Sequence, residues 1–286
     1  MRIAMIILYL VLAPLLGGLL DGIDRRISAR MQRRVGPPIL QPFYDVQKLF
    51  AKQRIVVTNS QTFLMITYLV LMVFTGCMFY SGADMLMCFF VLSTAGIFLY
   101  FAAVVTDSPY SYIGGQRELF QEMCCEPAVL LTGVGFYLLE DTFETAKIVQ
   151  ADRSAIVALP GFFAAFLFIL TIKMRKSPFD ESTSHHPHQE LVKGVTTELG
   201  ASNLALFQIT EWYENILMLS VIALFIINKN PWSIPAAILV VLAAYFLEIL
   251  IDNTSARMKS GKMLELSWAV TIAAAGVNLL ILILVR

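Results

Sequence analysis

Long apolar runs separated by polar connections dominate the chain, and their lengths set the first expectation. A bilayer core takes about 20 predominantly apolar residues per helix. Eight segments approach or reach that length: 3–20, 62–80, 84–105, 119–139, 156–173, 204–227, 233–251 and 266–285. The pattern predicts an all-α, polytopic integral membrane protein, with eight transmembrane helices forming a single membrane domain over residues 1–286. No internal repeat is evident, which counts against the inverted-repeat transporter architectures. The first apolar segment is followed, not preceded, by its basic cluster and lacks a small-residue cleavage site, so it reads as a retained helix.

Two polar stretches have a helical period of their own. In 21–36, Arg26, Arg30 and Arg33 recur at i, i+4, i+7, with Ile23, Ile27 and Met31 on a neighbouring face. That is the pattern of an interfacial amphipathic helix. Gly36-Pro37-Pro38 breaks it, and beyond the break Phe43, Val46 and Phe50 are set against Asp45, Lys48 and Lys52, which predicts a second surface helix. The basic stretch, with Arg34, reads either as an anchor for anionic headgroups of the lipid bilayer or as a docking platform for a soluble partner.

Composition agrees with a membrane interior. Hydrophobic residues make up 58% of the chain, against roughly 45–50% in soluble domains. The 21 basic and 21 acidic side chains cancel, so no net field favours nucleic acid. Their distribution is uneven, however. The connections 21–61, 106–118, 173–203 and 252–265 hold 16 of the 21 Lys and Arg residues, and the other side holds 5. By the positive-inside rule those connections face the cytoplasm, and both termini lie outside the cell membrane. Cys77, Cys88, Cys124 and Cys125 fall in apolar stretches, form no C-x-x-C pair and read as buried thiols. With no ferredoxin-like Cys run and no Gly-rich nucleotide loop, the chain is expected to hold no cofactor, and any electron carrier to belong to other chains.

Candidate chemistry lies in carboxylates placed where the bilayer makes them costly. Glu118, Glu122 and Glu126 recur at i, i+4, i+8 at the start of the fourth segment, beside Arg117, and Glu211 and Glu214 sit at i, i+3 inside the sixth. With Glu190 and Glu198 of the preceding connection, these acids are expected to line a proton or ion path from the cytoplasmic interface towards mid-membrane. The alternative is end-of-helix charges reaching the headgroups. Glu248 and Asp252 read as ordinary boundary residues at a cytoplasmic helix end. His185, His186 and His188 suggest imidazole ligands, but no carboxylate or Cys completes a set, so no metal site is expected. A polar loop against a neighbouring chain explains them more simply, with proton relay as a further option.

Three ordered motifs then resemble the first membrane component of respiratory complex I, its H subunit, and the relatives of that subunit in membrane-bound [NiFe] hydrogenases. The first runs Arg30-Met31-Gln32-Arg33-Arg34-Val35-Gly36-Pro37 and continues Leu40-Gln41-Pro42-Phe43-Tyr44-Asp45-Val46-Gln47-Lys48-Leu49. In the second, Arg117 stands nine residues before Glu126; the third runs from Ser177-Pro178-Phe179-Asp180 through Glu190 to Glu198 and Glu211-Trp212-Tyr213. Within the family, Ser177 to Glu190 is more similar to the Ech-type hydrogenase branch than to complex I. The resemblance implies a coupling subunit, itself non-catalytic, in a ferredoxin-dependent, H2-evolving complex that moves protons or sodium ions. Its partners would be soluble [NiFe] large and small subunits, a ferredoxin-like iron–sulfur subunit and an antiporter-like membrane subunit, with the [NiFe] centre and the clusters in those chains. Docking would fall to Arg26, Arg30, Arg33, Arg34, Asp45, Lys48, Arg117, Asp180, His185, His186 and His188. The alternatives are the quinone-chamber subunit of a complex I-type NADH or ferredoxin:quinone oxidoreductase, and a stand-alone ion transporter.

The charge asymmetry makes orientation testable. In a background lacking the four native cysteines, a single cysteine beside Lys48 should label with an impermeant thiol reagent only from the cytoplasmic side, and one beside Lys229 only from the outside. The reverse pattern would invert the topology.

Overall fold

The computed structural model describes residues 2–53, 58–183 and 193–285. Among them every regular element is helical, and the strand-like contact is an isolated bridge between Asp84 and Glu144. In chain order the α-helices are α1 (Arg2–Met31), α2 (Gln41–Ala51), α3 (Asn59–Ser81), α4 (Met85–Val104), α5 (Pro109–Glu140), α6 (Thr145–Ile148), α7 (Pro160–Lys173), α8 (Ala201–Leu224), α9 (Ser233–Thr254), α10 (Ser260–Val270) and α11 (Val277–Val285). A π-helical segment, Thr271–Gly276, joins α10 to α11.

By length and composition, six helical runs among the described residues can cross a membrane: α1, α3, α4, α5, α9 and the continuous run Ser260–Leu284. The chain is therefore an all-helical membrane protein. The other two apolar segments of the sequence are helical as well. At 14 residues α7 is short, and the 24 residues of α8 carry Glu211 and Glu214 in their middle.

Two boundaries differ most from the sequence reading. Residues 21–31 are not a separate interfacial helix: α1 runs unbroken from Arg2 to Met31. Nothing between Leu20 and Asp21 stops a helix, and the last turn closes only at Arg33, which takes a positive φ of 59°. Likewise α5 begins at Pro109, where proline suits the first helical turn, and continues past Pro127 for 32 residues in all. The surface helix expected beyond Gly36-Pro37-Pro38 is present as α2.

Helix α8 is the centre of the bundle, packing on α1, α2, α3, α7 and α9, while α5 packs on α4, α7 and α10. The outward faces are apolar, as lipid requires; Ile3, Val11, Leu239, Phe246, Leu280 and Leu284 are exposed there. One end of the bundle gathers the connections around α2, 105–108, 174–183, 193–200 and 255–259, joined by bonds such as Met258 N–H to the Pro178 carbonyl, 3.1 Å. The opposite end is tied by Ile156 N–H to Phe225 O, 2.8 Å, and by Gly161 N–H to Asn278 Oδ1, 3.0 Å.

Small residues let α1 approach both α8 and α2. A Cβ on Gly17 would stand 2.6 Å from the Trp212 Cβ, and one on Gly18 would stand 2.5 Å from the Phe43 Cζ. Phe43 and Trp212 pack together with centroids 5.2 Å apart, so the Leu40-to-Leu49 motif places an aromatic wedge against the glycine pair. Gly17→Leu should cost about 1–3 kcal/mol through overpacking. It is expected to lower the melting temperature of the detergent-solubilised protein, whereas Leu→Met at the lipid-facing Leu239 should leave it unchanged.

Candidate functional site

Three of the chain's cations lie close together at the end of α7. The helix stops because Arg175 takes a left-handed conformation, φ 50°, while the N–H of Lys176 returns to the Thr171 carbonyl at 3.1 Å. A non-glycine residue is uncommon there, and its buried bonds hold it in place. This winding sends Lys173 and Arg175 to one side, towards α5 and α8, and Lys176 to the other, towards α1 and α9. All three are more than nine-tenths buried.

On the first side stand four glutamates. Lys173 Nζ bonds Glu122 Oε2 at 2.5 Å and lies 4.0 Å from Glu214 Oε1. Arg175 holds Glu118 through Nη2, 2.6 Å, and Nε, 3.1 Å, and reaches Glu211 Oε1 at 3.2 Å and Glu214 Oε2 at 3.5 Å through Nη1. Tyr68 donates its hydroxyl to Glu214 Oε2 at 3.3 Å, and the Arg175 guanidinium lies 5.4 Å over the Phe207 ring. Burial works against the Arg175 charge, but Glu118, Glu214 and Glu211 outweigh it and hold its pKa well above the ordinary value. The cluster encloses a cavity of about 10 Å³, bounded by Glu118, Glu122, Glu214, Gln121 and Cys125, which is room for about one water.

Beside it lies a vestibule of about 470 Å³, walled by Asp21, Asp24 and Arg25 of α1, by Arg175, Lys176 and Asp180, by Gln208, Glu211 and Trp212 of α8, and by Tyr245 and Asp252 of α9. Arg175 borders both spaces, and its partner Glu211 stands on the vestibule side. The Glu211 side chain is 30% exposed while that of Glu214 is 4% exposed, so Glu211 faces the vestibule and Glu214 is sealed behind it.

The expected acids divide accordingly. Glu122, Glu211 and Glu214 meet in the cluster, and Glu118 joins them at closer quarters than helix-end snorkelling allows. Glu126, two turns beyond Glu118, is half-buried and makes no ion pair among the described residues. Glu198 is half-buried, and its carbonyl accepts a bond from Gln61 Nε2 at 3.3 Å. Glu190, His185, His186 and His188 lie outside the described residues.

Three readings need correction. Lys173, Arg175 and Lys176, counted with the basic surface, are buried counter-ions, because the acids that α5, α8 and α1 bring inward need partners. Glu248 is no boundary residue: it is fully buried, with neither carboxylate oxygen hydrogen-bonded among the described residues. Asp180, expected at a docking surface, is 5% exposed and paired with Arg257, where it ties the turn to the α9–α10 connection. Arg26, Arg30, Arg33, Arg34 and Lys48 are exposed at the surface, and Arg117 is half-buried near Glu181. Asp45 turns inward: it accepts from Arg25 Nη1 at 2.8 Å and Gln41 Nε2 at 2.9 Å, fastening α2 to α1. The sequence reading missed Arg175, although a basic residue just past an apolar helix that faces several intramembrane acids was the available signal.

The chain is similar to known proteins in both sequence and fold. The family model described as NADH dehydrogenase matches residues 3–283, and the chain belongs to that family. Hydrogenase-4 component C of Escherichia coli K12 is 25% identical, the match covering 93% of this chain and 90% of the relative. The H subunit of the NADH-quinone oxidoreductase of Rhodospirillum rubrum is 28% identical, with 91% and 87% covered. In fold, the chain is similar to one in the structure of the membrane-bound sulfane sulfur reductase, an archaeal respiratory membrane complex, with a TM-score of 0.87 at 21% identity over 98% of this chain and 99% of the other.

A buried network of this kind should respond non-additively. Arg175→Met strands the carboxylates and should cost about 3–5 kcal/mol, whereas Arg175→Met with Glu118→Gln should lose less than the two single variants summed. Thermal unfolding of the purified assembly measures both.

Proposed function

We propose that this chain is the membrane coupling subunit of a complex I-like respiratory complex, of the ferredoxin-dependent, H2-evolving [NiFe] hydrogenase kind. In this reading α7 and α8 complete eight crossings. The acids of α8 are tolerated because Lys173, Arg175 and Tyr68 cover them. Both termini face outwards, and the basic end is cytoplasmic. The observation that carries the reading is the position of the Arg175–Glu211 pair between an open vestibule and a sealed cluster.

Four carboxylates face two cations there, so full ionisation would leave two unmatched negative charges in a nearly dry site. Unmatched buried charge costs several kcal/mol, and bound protons relieve it. Glu211 takes protons from vestibule water, Glu214 and Glu122 share them across the cluster while Glu118 stays paired with Arg175, and Glu126, about 6 Å further along α5 than Glu122, passes them towards a neighbouring membrane subunit. Glu198, on the connection that enters α8, and Glu190, earlier in the same connection by sequence, are assigned to the cytoplasmic approach of this path. Arg26, Arg30, Arg33, Arg34 and Lys48 at the surface, with the connection bearing His185, His186 and His188, receive the soluble redox module. The [NiFe] centre and the iron–sulfur clusters belong to that module, and this chain binds none.

Two features support the hydrogenase branch over a quinone chamber. One is the Ser177-to-Glu190 segment, together with the relative named hydrogenase-4 component C. The other is the vestibule wall, where Asp21, Asp24, Arg25, Lys176 and Asp252 set charge beside Met174, Leu204, Phe207 and Trp212, a mixed lining less suited to a long apolar ligand than a mainly hydrocarbon one.

Glu→Gln removes the titratable proton while keeping size. In the intact complex, Glu211→Gln or Glu122→Gln is expected to suppress ferredoxin-driven ion uptake by inverted vesicles at least tenfold, while hydrogen evolution with an artificial donor persists. Uptake equal to the parent in assembled variants would remove the relay.

A further inference from the structure

Lys176 points away from the four-glutamate cluster. Its ammonium bonds Asp24 Oδ2 at 2.6 Å and lies 5.0 Å over the Tyr245 ring. Behind that pair, on α9, stands Glu248, 0% exposed and without a hydrogen-bond partner for either carboxylate oxygen among the described residues. Its polar surroundings are Thr171 of α7, Lys176 and Asp252. Asp252, one turn further along α9, is engaged by the Ser177 N–H at 2.9 Å. One ammonium therefore faces the Asp24 and Glu248 carboxylates, with Asp252 beside them, and the deepest, Glu248, has only the Thr171 hydroxyl as a donor beside it.

An ionised carboxylate with no more than one hydroxyl beside it is strongly disfavoured in such a place, and a sodium ion there would be set against the like charge of Lys176. A neutral carboxylic acid satisfies both constraints. Asp24, Lys176 and Asp252 line the vestibule while Glu248 lies behind its wall, so the only cation between Glu248 and water, among the described residues, is one on a long flexible stem.

We propose that Glu248 is a second proton-holding site of this subunit, separate from the four-glutamate cluster and exchanging with the vestibule through Lys176 and Asp24. In one state Glu248 carries the proton and Lys176 neutralises the Asp24 carboxylate. In the other the ammonium pairs with the Glu248 carboxylate and the proton resides on Asp24, from which vestibule water removes it. Charge is conserved in the exchange: one proton moves from Glu248 to Asp24 as one cation moves the opposite way. This rests on the reading of the chain as a proton-coupling subunit and adds a group that the relay does not contain.

Redox-induced infrared difference spectra of the intact complex test it directly. Glu248→Gln should remove one protonated-carboxyl band that changes with reduction of the complex, and should lower the protons taken up per electron without slowing hydrogen evolution from an artificial donor. Lys176→Met should keep that band but make it insensitive to reduction. A Glu248→Gln spectrum identical to the parent overturns the proposal. Should that variant fail to assemble, a band in Lys176→Met that still responds as in the parent overturns it equally. The wider reading fails separately: if Glu211→Gln abolishes uptake while Glu248→Gln behaves as the parent, only the second site is lost, and if neither affects uptake, the coupling role itself is wrong.

Discussion

The acids buried between α1, α5 and α8 depend on the turn that ends α7. Lys173, Arg175 and Lys176 enter a bundle that brings Glu118, Glu122, Glu211, Glu214 and Asp24 inward, and without those cations the acids of three separate helices would be uncompensated in a low dielectric. The left-handed residue at Arg175 matters for this reason: it lets one short turn supply counter-charge in two directions. Stability and chemistry share a single cause here, since the same ion pairs that permit burial also fix the distances over which protons would be exchanged.

The vestibule and the cluster differ in what water can do. Around Asp21, Arg25 and Asp24 there is space for many waters, and charges are screened. Around Glu214 there is space for about one, and each ion pair acts at greater strength. Glu211 stands where the two regimes meet. A change in charge on the vestibule side is felt through Arg175 by all three carboxylates it contacts, with no need for a long-range movement of the bundle.

Much of this was legible in the sequence for identifiable reasons. Apolar run length located α3, α4 and α9 closely, and the break at Gly36-Pro37-Pro38 separated α2 from the helix before it. The i, i+4 spacing of Glu118 and Glu122 and the i, i+3 spacing of Glu211 and Glu214 gave one helix face each. Where they pointed depended on partners elsewhere in the chain. Arg175 is 57 residues from Glu118 and 36 from Glu211, and no local pattern brings them together. Glu248 was misjudged for the same reason: its nearness to a helix end suggested a headgroup contact, but α9 turns that face towards Lys176. The extent of α1 was misread because amphipathic periodicity resembles a surface helix whether or not a spanning helix runs into it.

That unbroken α1 has a mechanical side. Thirty residues make a rod about 45 Å long, gripped near its middle where Gly17 and Gly18 meet Trp212 and Phe43. Beyond the grip the rod carries Asp21, Asp24 and Arg25 on the vestibule wall and then Arg30 at its tip, beside α2, which Asp45 fastens to it. A small tilt about the glycine fulcrum would carry three wall charges together towards or away from Glu211, so that a force applied at the surface is read inside as a change of field.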